Sequence, residues 1–184
     1  GIRDVAVTGV QTCALPIWLI TMPAIMMAFA YFALIAAAGV GLQSFSAPAF
    51  ISIFGVSLPL ANAALTAYLL ASACGMLMGG VLADRTARHD LVATAGLLIA
   101  GVLMIVLAAT APPYLGAAVL MAAAGLSVGV TGPSRDMLVK GATPPGSTGK
   151  VFGFVYSGLD LGALSGPLVF GYLVDHGHPS WVDR

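Results

Sequence analysis

Glutamate is absent from this chain of 184 residues, and ions of any kind are scarce: seven Lys and Arg balance seven Asp, 8% of the residues, for a formal net charge of zero. A soluble globular domain carries about 25% charged residues. With 59% hydrophobic residues and a mean hydropathy of +1.01, the chain has too little polar surface to cover a water-soluble globule, and its expected solvent is lipid. The few cations are scattered, so no basic patch can neutralise a run of phosphates, which excludes nucleic acid as a partner. Cysteine is nearly absent too. Cys13 and Cys74 lie far apart, and Cys74 sits in an apolar run where a thiol acts as a small hydrophobe. We assign neither a disulfide nor a metal site. There is no nucleophile with a plausible base, no metal-ligand cluster and no phosphate-binding loop, so enzyme chemistry has no foothold and no cofactor is expected.

Residues 1–17 read differently from the rest. Gly1 to Asp4 and Val7 to Ile17 match the translation of a common sequencing adaptor, with Val5-Ala6 at the place of its variable index. These residues are expected to be a non-native segment, and residues 18–184 to hold the biological sequence.

What the chain has in plenty is long apolar runs. A spanning helix needs about 20 mainly apolar residues, and residues 18–42 supply the first, with Trp18 as an interfacial anchor. Its continuation, residues 43–58, is expected to be broken by Pro48 and Gly55. Ser57 is placed to cap a second helix with Pro59 in its first turn, ending near Ala83. Asp90 is placed to cap a third, reaching Ala111, where Pro112-Pro113 forces a break. A fourth then runs from Tyr114 to about Lys140, and after the Pro144-Pro145-Gly146 turn a fifth runs from about Gly149 to Val174. The expected fold is therefore all-α, a polytopic membrane protein with five transmembrane helices. Arg85 and Arg88 lie between spans two and three, and Arg135, Lys140 and Lys150 flank the link between four and five. The opposite links carry no Lys or Arg, so the charged side is expected to be cytoplasmic.

The ions concentrate in Gly79-Gly80-Val81-Leu82-Ala83-Asp84-Arg85-Thr86-Ala87-Arg88-His89-Asp90. This stretch resembles the signature loop of the major facilitator superfamily of secondary transporters, commonly written G-x-L-A-D-R-x-G-R-[RK]. Gly80, Leu82, Ala83, Asp84, Arg85 and Arg88 match, while Ala87 replaces the usual Gly and His89 the usual basic residue. The resemblance covers residues 18–184 and implies most of one six-helix half of a twelve-helix transporter. The usual Arg near the start of a fourth helix is missing from Tyr114-Leu115-Gly116-Ala117-Ala118-Val119. The run from Pro133-Ser134-Arg135-Asp136 to Gly149-Lys150-Val151-Phe152-Gly153 looks like helices ten and eleven, so the chain reads as the C-terminal half, helices seven to eleven. Gly162-Ala163-Leu164-Ser165-Gly166-Pro167 resembles in turn a G-x-x-x-G-P motif best known from the fifth helix of antiporters.

Asp160 is the leading functional candidate, because about 11 residues into a helix it sits near the middle of a hydrocarbon core roughly 30 Å thick. A carboxylate there is costly, so it is expected to face protein or water and to hold a proton; the bland alternative is a neutral Asp bonded to a neighbouring helix. Tyr156, one turn earlier, is placed to bond Asp160 or a substrate. Gly158, Gly162 and Gly166 repeat on a face away from Asp160, and Ala71, Gly75 and Gly79 form a similar stripe, as do Gly125 and Gly129; close helix packing is the expectation, helix sliding the sharper alternative. Asp84, Arg85 and Arg88 are placed to form an ion-pair cluster that sets topology. By resemblance the Asp of this loop also engages a helix N-terminus in the other half, latching a gate. Arg135-Asp136 reads as an interfacial pair. His176 and His178 read as loop histidines, and Gln43, Ser44, Ser46 and Asn62 as polar positions of undefined depth.

The resemblance implies transport of a small solute by alternating access, driven by an ion gradient since no nucleotide-binding motif is present. Proton-coupled export of an organic compound is preferred, with uptake by symport or a transport-incompetent sensor or scaffold as alternatives. The expected partners are the lipid bilayer, the missing half of the transporter, a small-molecule substrate and protons; the expected location is a bacterial inner (plasma) membrane. Topology is open to direct measurement. With Cys13 and Cys74 replaced by Ala, a cysteine at Thr86 is expected to react with an impermeant thiol reagent only from the cytoplasmic side, and labelling from outside in intact cells would reverse the orientation.

Overall fold

The computed structural model describes residues 22–176, with side chains as far as Tyr172; the adaptor-like segment, Trp18 and His178 lie outside the described residues. Five helices follow one another: α1 (Pro23–Phe54), α2 (Leu58–Arg85), α3 (His89–Thr110), α4 (Tyr114–Ala142) and α5 (Thr148–His176). Among the described residues there is no strand. Helices α1 to α4 are long and apolar enough to cross a membrane. Helix α5, with 29 residues, has the length as well, about 43 Å at 1.5 Å per residue.

The helix ends follow the local chemistry, with informative departures. Helix α1 runs unbroken through Pro48 for 32 residues and stops at Gly55, which takes the left-handed conformation (φ 61°) and returns its N–H to the Ile51 carbonyl. The expected break at Pro48 does not occur. In lipid a loop would strand several backbone groups, whereas a proline inside a helix removes a single bond. Ser57 is the N-cap residue of α2, as its sequence suggested, yet it makes no side-chain cap bond. Helix α2 continues to Arg85, so Asp84 and Arg85, just past the expected end near Ala83, are helical too. Arg88, not Asp90, is the N-cap residue of α3, and Asp90 falls in the first turn, where a carboxylate suits the dipole. Ala111 ends α3 in the left-handed region (φ 37°) before Pro112-Pro113. Pro133 and Pro167 lie inside α4 and α5.

The helices pack chiefly in two pairs, α2 on α4 and α1 on α5, with α3 laid against α4. Replacing α1 and α2 by α4 and α5 exchanges one pair for the other, the relation expected of an internal repeat. Glycines make both pairs close. A methyl built on Gly158 would lie 2.7 Å from the Phe29 carbonyl oxygen, and one on Gly166 2.7 Å from that of Ala37; one on Gly162 would collide with the Ala33 carbonyl. In the other pair Gly75 and Gly79 of α2 meet the backbone at Leu126 and Val130, while Gly125 and Gly129 of α4 meet the carbonyls of Tyr68 and Ser72.

Larger side chains form two cores at opposite ends of the bundle. Phe50, Tyr68 and Met121 with Ala61, Ala64, Ala117 and Ala124 fill the end where α2 and α4 begin. Ile25, Phe32, Val139, Val151 and Val155 fill the charged end. Many of the other large apolar residues, Leu77, Leu98, Ile105 and Leu164 among them, point outward. This is the arrangement for lipid solvent, in which association depends on packing and not on hiding apolar surface.

The close approaches make a stability prediction. Gly162→Val is expected to cost about 1–3 kcal/mol by overpacking, whereas Gly101→Ala, with nothing within 4 Å of its added methyl, should change stability by no more than about 1 kcal/mol. Thermal unfolding of the full-length protein in detergent compares the two, and equal midpoints would remove the packing role of Gly162.

Candidate functional site

Several hydroxyls are satisfied within their own helix, as suits lipid: Ser127 donates to the Ala123 carbonyl at 2.9 Å, Thr131 to that of Val128 at 2.7 Å, and Ser157 to that of Phe154 at 2.6 Å. Two tyrosines instead reach across helices. Tyr114 donates to the Leu60 carbonyl at 2.7 Å, tying α4 to α2 at the uncharged end. Tyr156 donates to Asp136 Oδ1 at 3.0 Å, tying α5 to α4 at the other.

Asp160 occupies the face of α5 opposite its glycines and is exposed in the five-helix bundle. It makes no hydrogen bond or ion pair among the described residues. Tyr156 stands one turn earlier and is 37% exposed. Its partner is Asp136, where sequence reasoning had suggested Asp160. Its ring stacks on Phe152, with centroids 5.8 Å apart, and meets Phe32 edge-on at 5.5 Å. Gly158, Gly162 and Gly166 face α1, and Pro167 follows them on α5, partly buried.

The signature-loop residues Asp84, Arg85 and Arg88 are all exposed. No ion pair joins them among the described residues. The expected spacing of one helical turn between Asp84 and Arg88 does not arise, because α2 ends at Arg85 and Thr86 is extended (φ −120°, ψ 141°). Thr86 Oγ1 accepts the Arg88 N–H at 3.2 Å, shaping the turn locally. Gly80 has open space where a Cβ would stand, so it is not a packing glycine like Gly75 and Gly79.

Arg135 and Asp136 do not form the interfacial pair that adjacency suggested. Neighbouring helical positions point about 100° apart, which sends Asp136 to Tyr156 and Arg135 to α1. The guanidinium carbon of Arg135 lies 5.5 Å from the Phe32 ring centroid, a cation–π distance. The Nε of Arg135 and the hydroxyl of Tyr31 are buried without hydrogen-bond partners. Both residues line a cavity of about 440 Å³ between α1, α3 and α4, with Asp90 and Thr94 on its α3 wall. A further cavity of about 500 Å³, including Phe45, Ser46 and Met104 in its lining, continues between α1 and α3. Of the polar positions on α1, Ser46 is buried, and Gln43 and Ser44 are exposed. The Tyr31–Phe32–Arg135 cluster was missed from sequence. A cation seven residues before the end of a spanning helix was the available signal, and its aromatic neighbours lie over a hundred residues away. Among the described residues no three His, Cys, Asp or Glu side chains gather as a metal site.

These features define a multi-pass helical membrane protein whose charged groups, among the described residues, are few and placed at one end and on one face of α5. The model of the Major Facilitator Superfamily matches residues 27–182, and the chain belongs to that family of membrane transporters. No curated protein and no solved structure matches it.

The Tyr156–Asp136 bond gives a prediction of its own. Tyr156→Phe is expected to lower stability by about 1 kcal/mol, the usual size for one hydrogen bond, and a double-mutant cycle with Asp136→Ala should show coupling. Strict additivity in thermal unfolding would mean that the bond does not form.

Proposed function

We propose that the chain forms most of one half, the C-terminal one, of a secondary transporter that exports a small organic compound by alternating access in exchange for protons. The observation that carries this reading is the placement of Asp160. A carboxyl lies about 18 Å into α5, on a face that the five helices leave open, opposite the glycines that seat α5 on α1. An intramembrane acid is kept where it meets a substrate, an ion or a water path. An uncovered face is where the other half of the transporter and the solute pathway would lie. The Gly162 to Pro167 motif supports export by its resemblance to antiporters. Exposed Asp84 is free to meet a helix N-terminus of the other half, where the dipole favours a carboxylate. The cluster of Lys and Arg at the α2–α3 and α4–α5 links supports a cytoplasmic location for that end.

Asp160→Asn in the full-length protein tests the reading, because it keeps size and hydrogen bonding but removes titration. In everted vesicles given a panel of labelled organic probes, beginning with ethidium, proton-driven accumulation is expected to fall by about tenfold or more while exchange of labelled for unlabelled probe survives. Undiminished proton-driven accumulation by the variant would take Asp160 out of the coupling step.

A further inference from the structure

We infer that Tyr156 and Asp136 form the proton path between Asp160 and the charged end of the bundle. The inference rests on the reading of Asp160 as the proton carrier and adds the residues that supply it. Asp160 makes no hydrogen bond of its own among the described residues. Between it and the charged end stands Tyr156, one turn away, where Cβ atoms on one helix face are separated by about 6 Å. Helical side chains lean toward the N-terminus, so the Asp160 carboxyl leans over the turn that carries Tyr156. The tyrosine hydroxyl in turn leans toward the charged end, where it already donates to Asp136 at 3.0 Å. Asp136 lies about 9 Å from the end of α4 and Tyr156 about 12 Å from the start of α5, so the three groups step inward from the interface.

The surroundings fit transfer better than simple bracing. Helices α4 and α5 scarcely pack on each other, so this bond spans a sparsely filled gap. Phe152 and Phe32 hold the tyrosine ring from two sides, yet the residue keeps 37% exposure, within reach of water. The charged and titratable groups around Asp136 are Tyr156 on α5, Arg135 beside it on α4, whose guanidinium is turned to Phe32, Lys140 one turn further along α4, Lys150 near the start of α5, and Tyr31 on α1 next to Arg135.

The transfer balances. Protonated Asp160 gives its proton through intervening water to the Tyr156 oxygen, as the Tyr156 hydroxyl proton passes to the Asp136 carboxylate. Tyrosine ends neutral, as it began. Asp160 is left ionised, Asp136 protonated, and Asp136 releases the proton to water at the charged end; uptake runs the same steps backwards.

The test needs no transport substrate. In the full-length transporter in nanodiscs, protons released by a light flash from o-nitrobenzaldehyde are followed by time-resolved infrared spectroscopy at the Asp160 carboxyl band, identified by its loss in Asp160→Asn. Tyr156→Phe and Asp136→Asn are each expected to keep the band's amplitude and slow its rise by about tenfold or more. The double variant should be no slower than the slower single one, since the two residues act in series, and Asp136→Glu should restore most of the rate. Should Asp136→Asn fail to fold, Tyr156→Phe, which removes one oxygen atom, carries the test alone. A wild-type rate in Tyr156→Phe would overturn the path while leaving Asp160 as carrier. Loss of amplitude at an unchanged rate would reduce both residues to a structural role. A wild-type protein with no Asp160 band would overturn the carrier and the path together.

Discussion

Backbone-to-backbone contact through glycine is the constraint on which the rest of this structure depends. Lipid tails are as apolar as leucine, so burying leucine between helices gains little in a membrane, and association rests on how closely the helices approach. Here the approach is set by Gly158, Gly162 and Gly166 against the carbonyls of Phe29, Ala33 and Ala37, and by Gly75, Gly79, Gly125 and Gly129 between α2 and α4. With the seams built of glycine and alanine, the large apolar side chains have two places left. They fill the ends of the bundle or they face the lipid.

The seams also decide where polar groups can stand. Because the glycines of α5 seat it on α1, Asp160 is carried to the opposite face, clear of the packing. The same geometry leaves α5 only slightly packed on α4, its neighbour in sequence, and the Tyr156–Asp136 hydrogen bond bridges them. On α4, consecutive residues serve different ends. Asp136 turns to α5, and Arg135 turns into the cavity beside Tyr31 and Phe32, where it has an aromatic ring for company and a buried Nε with no acceptor. A cation so placed has an aromatic contact that offsets part of its desolvation.

Much of the fold was legible in the sequence because lipid removes alternatives. Apolar runs of spanning length in a chain with so few ions have one form open to them, and the helix ends fell at the residues that punctuate backbones: Gly55, Ser57, Pro112-Pro113 and the Pro144-Pro145-Gly146 turn. The same force misled where a local rule was trusted over it. Pro48 looked like a break and became part of α1, and α2 was carried on to Arg85 where an end near Ala83 was expected.

The sequence by itself determined that this is an all-α membrane protein, where its helices begin and end to within a few residues apart from the end of α1, and that its signature loop belongs to the major facilitator superfamily. Those features are written in composition, in runs along the chain and in a contiguous motif. Only the tertiary structure decided that Tyr156 bonds Asp136 rather than Asp160, that Arg135 meets Phe32 and Tyr31, and that Asp84 and Arg88 stand apart. Each depends on which way a helix is rotated about its axis and which neighbour it meets. That rotation is set by glycine seams between helices distant in sequence, where α1 must wait for α5 and α2 for α4.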